Sequence, residues 1–235
     1  MNIEMIGFDA DDTLWHTEIH YLKAQEDFKG LLSPWATPER VDELLHANIL
    51  DNLPRYGYGI KAFVLSLIEA AIHISDGKIG ANRIEEILSI GKRMLAAEII
   101  LRPHVRDTLQ TLKSAYPMML ITKGDLLDQT TKVKRANIGE FFSSVEVVNE
   151  KSPEAYTRIF EKHRIHPAHF LMVGNTLRSD IQPVLALGGA AVHIPADSTW
   201  FHEMVPGFDT AQNGFYELEH MGQLPALINK ISDVI

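Results

Sequence analysis

The segment Phe8-Asp9-Ala10-Asp11-Asp12-Thr13-Leu14 places two carboxylates two residues apart, directly after an apolar run over residues 3–8. If that run is a buried strand, both carboxylates emerge at its C-terminal mouth. There they repel one another and lose hydration unless a cation stands near them. Taken alone, the pattern reads as an acidic turn with a threonine cap. Three further places change that reading. Residues 118–121 form an apolar run followed by Thr122, which presents a hydroxyl, and Lys123. Lys151 stands in the loop after the run 145–148, just before Ser152-Pro153-Glu154. The run 170–173 leads into Gly174, Asn175 and, further along the same loop, Asp180, an amide and a carboxylate. Each chemically active group thus follows an apolar run, and Lys151 can offset the crowded negative charge.

The elements that must position these groups follow from periodicity. The short apolar runs 3–8, 118–121, 145–148, 170–173 and 190–194 suit buried strands. Helix-like segments over 105–114, 126–136, 153–162 and 181–187 separate the later runs. Ser152-Pro153-Glu154 is a good helix start, with Ser as N-cap, Pro at the first helical position and an acid in the first turn. Strands alternating with helices predict an α/β fold with a parallel sheet covered on both faces. More than a hundred residues separate the first run from the second, far more than a crossover needs. Residues 18–98 read as almost purely helical: Thr37-Pro38 opens one helix, 60–75 forms a second and 82–98 a third. The expected organisation is a core of residues 1–16 and 99–235 with an all-helical insert over 17–98, standing over the ligand end of the sheet. Residues 195–214 read as loop before a final helix near 223–235.

Composition excludes several classes of function. The chain has 235 residues, 46% hydrophobic and 23% charged, which suits a globular protein with a real core. A net charge of −9 disfavours a general nucleic-acid binder. The absence of cysteine excludes a disulfide scaffold, a thiolate zinc site and a cysteine nucleophile. The N-terminus has no basic region ahead of its apolar run and is expected to be the first strand, not a secretory signal. The most apolar stretch, residues 59–74, carries Lys61 and Glu69 and is short for a bilayer span. The expectation is a cytoplasmic protein with no membrane partner, as a monomer or homodimer.

With Asp9/Asp11/Thr13, the strand-end Thr122, Lys151 and the loop from Gly174 to Asp180 in this order, the chain resembles the haloacid dehalogenase superfamily. The helical insert resembles that family's C1 cap. The resemblance implies a Rossmann-like three-layer core, an aspartate nucleophile and, in the phosphatase branch, Mg²⁺. On that reading Asp9 attacks phosphorus, forming an aspartyl-phosphate. Asp11 protonates the leaving oxygen and then deprotonates the attacking water. Thr122, Lys123 and Lys151 bind the phosphoryl group, and Asp9, Asp11, Asn175 and Asp180 hold the metal. The expected substrate is a small soluble phosphate ester: a sugar phosphate, a nucleotide or a phosphoglycolate-like compound. Two positions depart from the pattern. Asn175 stands where phosphatase members have Asp, and Asp12 where relatives have Gly, though Asp tolerates a positive φ.

Rival readings are a carbon–halogen hydrolase, a phosphomutase, and a non-catalytic relative that binds a phosphate ligand. The halide enzymes need no acid for their leaving group and lack an aspartate at the position of Asp11, so Asp11 favours the phosphatase. In the insert, Arg55-Tyr56-Gly57-Tyr58-Gly59 reads as a Gly-broken aromatic loop, which makes Arg55, Tyr56 and Tyr58 candidate substrate contacts. Trp15 and His16 follow the first motif and read either as lining the entrance or as packing. His163, His166 and His169 read as surface histidines, and Lys132, Lys134 and Arg135 as a solvated helix face.

Overall fold

The computed structural model describes residues 1–198 and 200–232. In chain order the elements are β1 (Met5–Phe8), α1 (Glu18–Leu32), α2 (Pro38–Tyr56), α3 (Ile60–Ile74), α4 (Ala81–Ala96) and α5 (Val105–Leu112). They continue as β2 (Met118–Lys123), α6 (Leu126–Ala136), β3 (Ser144–Val148), α7 (Pro153–His163) and β4 (Phe170–Gly174). The last are α8 (Gln182–Ala186), β5 (Ala190–His193), β6 (Phe215–Glu217) and α9 (Leu224–Ser232). The six strands form one sheet in the order β3-β2-β1-β4-β5-β6, every pair parallel. The end of the final predicted helix, residues 233–235, lies outside the described residues.

Alternation along the strands divides the core into two faces. Ile6, Phe8, Met118, Leu120, Leu171, Val173 and Val192 pack against α5, α9 and the end of α6. Met119, Ile121, Phe170, Met172 and Ala191 pack against α7 and α8. The result is the three-layer α/β core. The chain divides into two compact units. One comprises Met1–Glu18, Ile99–Lys123 and Gln129–Ile235; the other comprises Ile19–Glu98 with Gly124–Asp128. The helical unit has its own core, with Phe28, Leu45, Phe63, Leu67, Ile87 and Ile90 buried among α1 to α4. Gly91 admits Val64 there, since a Cβ on Gly91 would stand 2.3 Å from Val64 Cγ2. Among the described residues, no helix is long and apolar enough to cross a membrane.

Several elements differ from the sequence reading. Strand β6 is only three residues long, too short to show a period, and it follows Gly214 in the left-handed region at φ 82°. A short helical turn, Phe201–Glu203, interrupts the predicted loop 195–214. Residues 177–181, partly assigned to a helix from 181, form a π-helical turn that runs into α8. Arg55 and Tyr56 are not in a loop: α2 continues through Pro54 to Tyr56 and stops at Gly57, whose N–H donates to the Leu53 carbonyl at 2.9 Å.

Gly7 on β1 leaves no room for a side chain, since a Cβ there would lie 2.4 Å from Phe170 Cζ. Gly7→Ala should therefore destabilise the fold by about 1–3 kcal/mol through overpacking. Urea unfolding should recover most of that loss in Gly7→Ala/Phe170→Leu. An undiminished loss in the double variant would mean that the strain lies elsewhere.

Candidate active site

In an open parallel sheet the ligand crevice lies outside the carboxyl ends of the strands, where the strand order reverses. Here that point is β1, between β2 and β4. Asp9 is the first residue after β1, and its N–H continues the ladder to the Val173 carbonyl at 2.9 Å. Its carboxylate is buried and accepts from Thr13 Oγ1 at 2.7 Å and from Lys151 Nζ at 2.5 Å. Lys151 reaches it from the loop after β3, just ahead of the Ser152 cap of α7. The same ammonium donates to Asp180 Oδ1 at 2.7 Å, and the Lys151 side chain is only 2% exposed. The other Asp180 oxygen accepts from the Thr176 N–H at 3.0 Å and its hydroxyl at 2.8 Å. Gly174 makes this approach feasible, because a Cβ there would stand 2.4 Å from Asp180 Cβ and Cγ.

Asn175 completes the cluster. The Thr13 hydroxyl has one proton and gives it to Asp9, so it accepts from the Asn175 amide. In that orientation the amide nitrogen lies 3.1 Å from Thr13 Oγ1, 3.2 Å from Asp9 Oδ2 and 3.3 Å from the Asp11 carbonyl. Behind it, His193 Nε2 lies 3.1 Å from the Asn175 carbonyl, with Nδ1 2.8 Å from Glu217.

The Asp11 carboxylate takes no part in this cluster. It accepts from Trp15 Nε1 at 2.8 Å, Thr17 Oγ1 at 2.6 Å, Gln129 Nε2 at 2.8 Å and Lys132 Nζ at 3.0 Å. The two neighbouring acids are therefore driven in opposite directions. Burial, with a contribution from Asp180, raises Asp9 to about 7 against the pull of Lys151. Burial acts the same way on Asp11, but the Lys132 charge and the hydrogen bonds from Thr17, Gln129 and Trp15 outweigh it and bring it down to about 2. Lys151 is pushed down by burial, yet Asp180 and Asp9 more than reverse this and hold it firmly protonated.

The remaining predicted positions are placed as follows. Thr122 is buried at the end of β2, and Lys123 beside it spends its ammonium on Ser179 Oγ, Glu203 and, at 3.7 Å, Glu150. Arg55 pairs with Asp51 at 2.7 Å and Tyr56 donates to Glu69 at 2.8 Å, both within the helical unit. Trp15 is fully buried and serves Asp11, resolving its double reading. Lys132 corrects the solvated-face reading, for it is 7% exposed and faces Asp11. A lysine flanked by Lys134 and Arg135 carries no local sign of burial. Only the four-residue spacing of Gln129 and Val133 around it, both buried, points inward. Asp12 has φ 60° and accepts from the N–H groups of Thr17 and Glu18, capping α1. His163 and His169 pair with Glu146 and Glu4 at 2.7 and 2.8 Å.

For a hard divalent cation the donor chemistry fits. The Asp9 and Asp180 carboxylates, the Asn175 amide and the Asp11 main-chain carbonyl are all oxygen donors, and water completes such a shell readily. Asn175 would present its oxygen by a half-turn of the amide. Among the described residues, no three His, Cys, Asp or Glu side chains form a metal-holding group; in the set named here the amide and the main-chain carbonyl are the two uncharged donors.

A family model of haloacid dehalogenase-like hydrolases matches residues 3–188. The N-acylneuraminate-9-phosphatase of Mus musculus is 25% identical over 154 residues, covering 63% of this chain and 59% of the mouse protein. The chain thus spans less than two thirds of that relative's length. A haloacid dehalogenase-like hydrolase from Xanthomonas campestris superposes with a TM-score of 0.87 at 33% identity, over 98% of this chain and 92% of the other. A magnesium-bound hydrolase of the same family from Bacillus subtilis gives 0.68 at 15% identity, over 97% and 100%, a likeness of fold alone.

The Asp11 environment makes a prediction about stability and pH. Its carboxyl is depressed from 3.8 to about 2 on folding, so its contribution is fully present above about pH 4 and is lost as pH falls toward 2. In chelator, Asp11→Asn should cost roughly 2 kcal/mol at neutral pH, and the gap to wild type should close on acidification. A gap independent of pH would show that Asp11 is not held as a carboxylate.

Proposed function

The chain belongs to the haloacid dehalogenase-like hydrolases, and we propose that within them it is a magnesium-dependent phosphomonoester hydrolase acting through an aspartyl-phosphate. The observation that carries this reading is the pair Asp9 and Asp11. One carboxylate is fixed against Lys151 at the mouth of β1, with a second acid two residues on in the same flap. A nucleophile alone serves attack on carbon, whereas an alkoxide leaving group needs the second acid. The phosphatase named among the relatives supports the same class at low identity.

The residues divide the work. Thr13 and Lys151 hold the Asp9 carboxylate so that one oxygen can attack phosphorus. The P–O bond to the leaving group breaks as the Asp9–phosphorus bond forms. Asp11 gives a proton to the leaving alkoxide and then removes one from the water that cleaves the aspartyl-phosphate, releasing inorganic phosphate. To carry that proton, Asp11 must give up the Lys132 and Thr17 contacts that now hold it as a carboxylate. The negative charge of an arriving phosphate pushes in that direction. The Thr122 hydroxyl and the Lys151 ammonium are the phosphoryl contacts. Mg²⁺, held by Asp9, the Asp11 carbonyl, Asn175 and Asp180, would neutralise phosphoryl charge and keep Asp9 ionised. The substrate is a small soluble phosphate ester, with Arg55, Tyr56 and Tyr58 as its contacts in the helical unit.

One observation favours a second reading. Asn175 donates to Asp9 where a metal-binding carboxylate is expected, an arrangement that also suits attack on a carbon–halogen bond without metal. Turnover separates the two. An aryl phosphate should be hydrolysed with Mg²⁺ and not in chelator, and 2-chloropropionate should be left intact. Asp9→Asn should lower the phosphatase rate by on the order of a thousandfold or more while the fold persists. Halide release unaffected by chelator would transfer the chain to the second reading.

The metal reading makes its own prediction. Asn175→Asp adds a charged ligand and should lower the Mg²⁺ concentration for half-maximal rate by about tenfold, or about 1.4 kcal/mol. Asp180→Asn should raise it. If the Mg²⁺ requirement is unchanged in both variants, neither side chain reaches the metal.

A further inference from the structure

A second buried network lies one residue along the chain from the first. Lys151 and Asp180 belong to the Asp9 cluster and Thr122 is the proposed phosphoryl contact. Their neighbours Lys123 and Ser179 converge elsewhere, on the carboxylate of Glu203, with the half-exposed Glu150 beside Lys123. Lys123 Nζ donates to Ser179 Oγ at 2.8 Å and to Glu203, with Glu150 at 3.7 Å. The Ser179 hydroxyl donates to the other Glu203 oxygen at 2.6 Å. The Glu203 side chain is 7% exposed and that of Lys123 14%. Glu203 comes from the helical turn after β5, so the end of β2 and the segments following β4 and β5 meet at this point, with Glu150 from the loop after β3 at its edge. A buried ion pair contributes little net stability, because desolvation offsets most of the attraction. Its best-supported use is to fix one geometry among several.

We propose that Glu203 is a positioning residue which, through Lys123 and Ser179, sets the spacing of the strand ends carrying Thr122, Lys151 and Asp180. Lys123 is then a cross-link in this plate and not a ligand of the phosphoryl group. The proposal rests on the reading of Asp9 as the reacting group only for its kinetic consequence. The spacing itself has a readout without substrate.

Glu203→Gln keeps the shape and removes the charge. With an aryl phosphate, kcat should fall by about tenfold to a hundredfold, as expected for small displacements of reacting groups, while KM changes less than threefold. Lys123→Met should also reduce kcat. The double variant should be no worse than the poorer single, because no unpaired buried charge remains. Hydrogen–deuterium exchange on the full chain without substrate should rise in Glu203→Gln over both 122–125 and 176–180, with α9 unchanged. Ser179→Ala, which removes both hydrogen bonds of that hydroxyl but leaves the Lys123–Glu203 pair, should raise it over 176–180 alone and decides the matter if Glu203→Gln does not fold. Losses that multiply in the double variant, or exchange raised only around 201–203, would overturn the proposal. A wild type that hydrolyses no phosphate ester would sink the functional reading, and the exchange pattern would still decide this one.

Discussion

Two carboxylates from different strand ends share the Lys151 ammonium, and the site is built outward from that contact. Asp9 and Asp180 could not both be buried and ionised without it, since each is desolvated and each repels the other. The contact also fixes geometry. Lys151 comes from the end of β3, Asp9 from β1 and Asp180 from beyond β4, so one ammonium measures the distance across the centre of the sheet. The parallel order β3-β2-β1-β4 brings those ends to the same rim. Gly174 then lets the Asp180 carboxyl lie against the backbone. Deleting the lysine would leave two uncompensated buried charges, a much larger perturbation than the modest net worth of the pairs suggests.

The chain separates Asp9 from Asp11 electrostatically although they are two residues apart. The chain leaves the strand after Phe8 and turns, which brings one carboxylate to Lys151 and the other to Lys132, and burial wins at the first while four donors win at the second. Counting Asp9, Asp11 and Asp180 as one anionic group therefore overstates the charge a phosphate would meet, because Lys132 neutralises Asp11 apart from the others. With both carboxyls ionised, the Asp9, Asp180 and Lys151 group would carry one net negative charge, which a single divalent cation would reverse. Phosphate would then enter a site of opposite sign.

Much of this was legible because the signals are local. Ser152 and Thr37 stand as N-caps ahead of Pro153 and Pro38, and both helices begin there. The apolar runs at 118–121 and 170–173 fall within β2 and β4, and Asp12 takes the positive φ that its side chain tolerates. What could not be read depends on tertiary contact. Lys132 is indistinguishable from Lys134 until α6 is docked, and Glu203 lies in a stretch with neither period nor motif. Strand β6 is defined by its partner β5, not by its own three residues. Arg55 and Tyr56 read as loop from the sequence because Gly57 and Gly59 follow closely. The helix absorbs Pro54 and runs two residues into that stretch, ending at Tyr56.

The linkers of the helical insert are tied to the same flap that carries Asp11. Trp15 bridges to Leu101, His16 N–H donates to the Ile100 carbonyl, and Arg102 N–H donates to the Leu14 carbonyl, so the outgoing and returning segments run side by side. Arg102 further donates through its guanidinium to the Asp12 carbonyl and to that of Pro195. Trp15 belongs to both systems, with its backbone in the bridge and its indole N–H on the Asp11 carboxylate. Thr17, the last residue before α1, holds Asp11 by its hydroxyl and Asp12 by its N–H. A shift of these linkers by even a fraction of an ångström changes hydrogen bonds on Asp11 directly, since two of its four donors sit in the outgoing segment. Release of Asp11 from its carboxylate-holding donors, which the acid role proposed for it would require, would therefore involve the linkers and not its own rotamer alone.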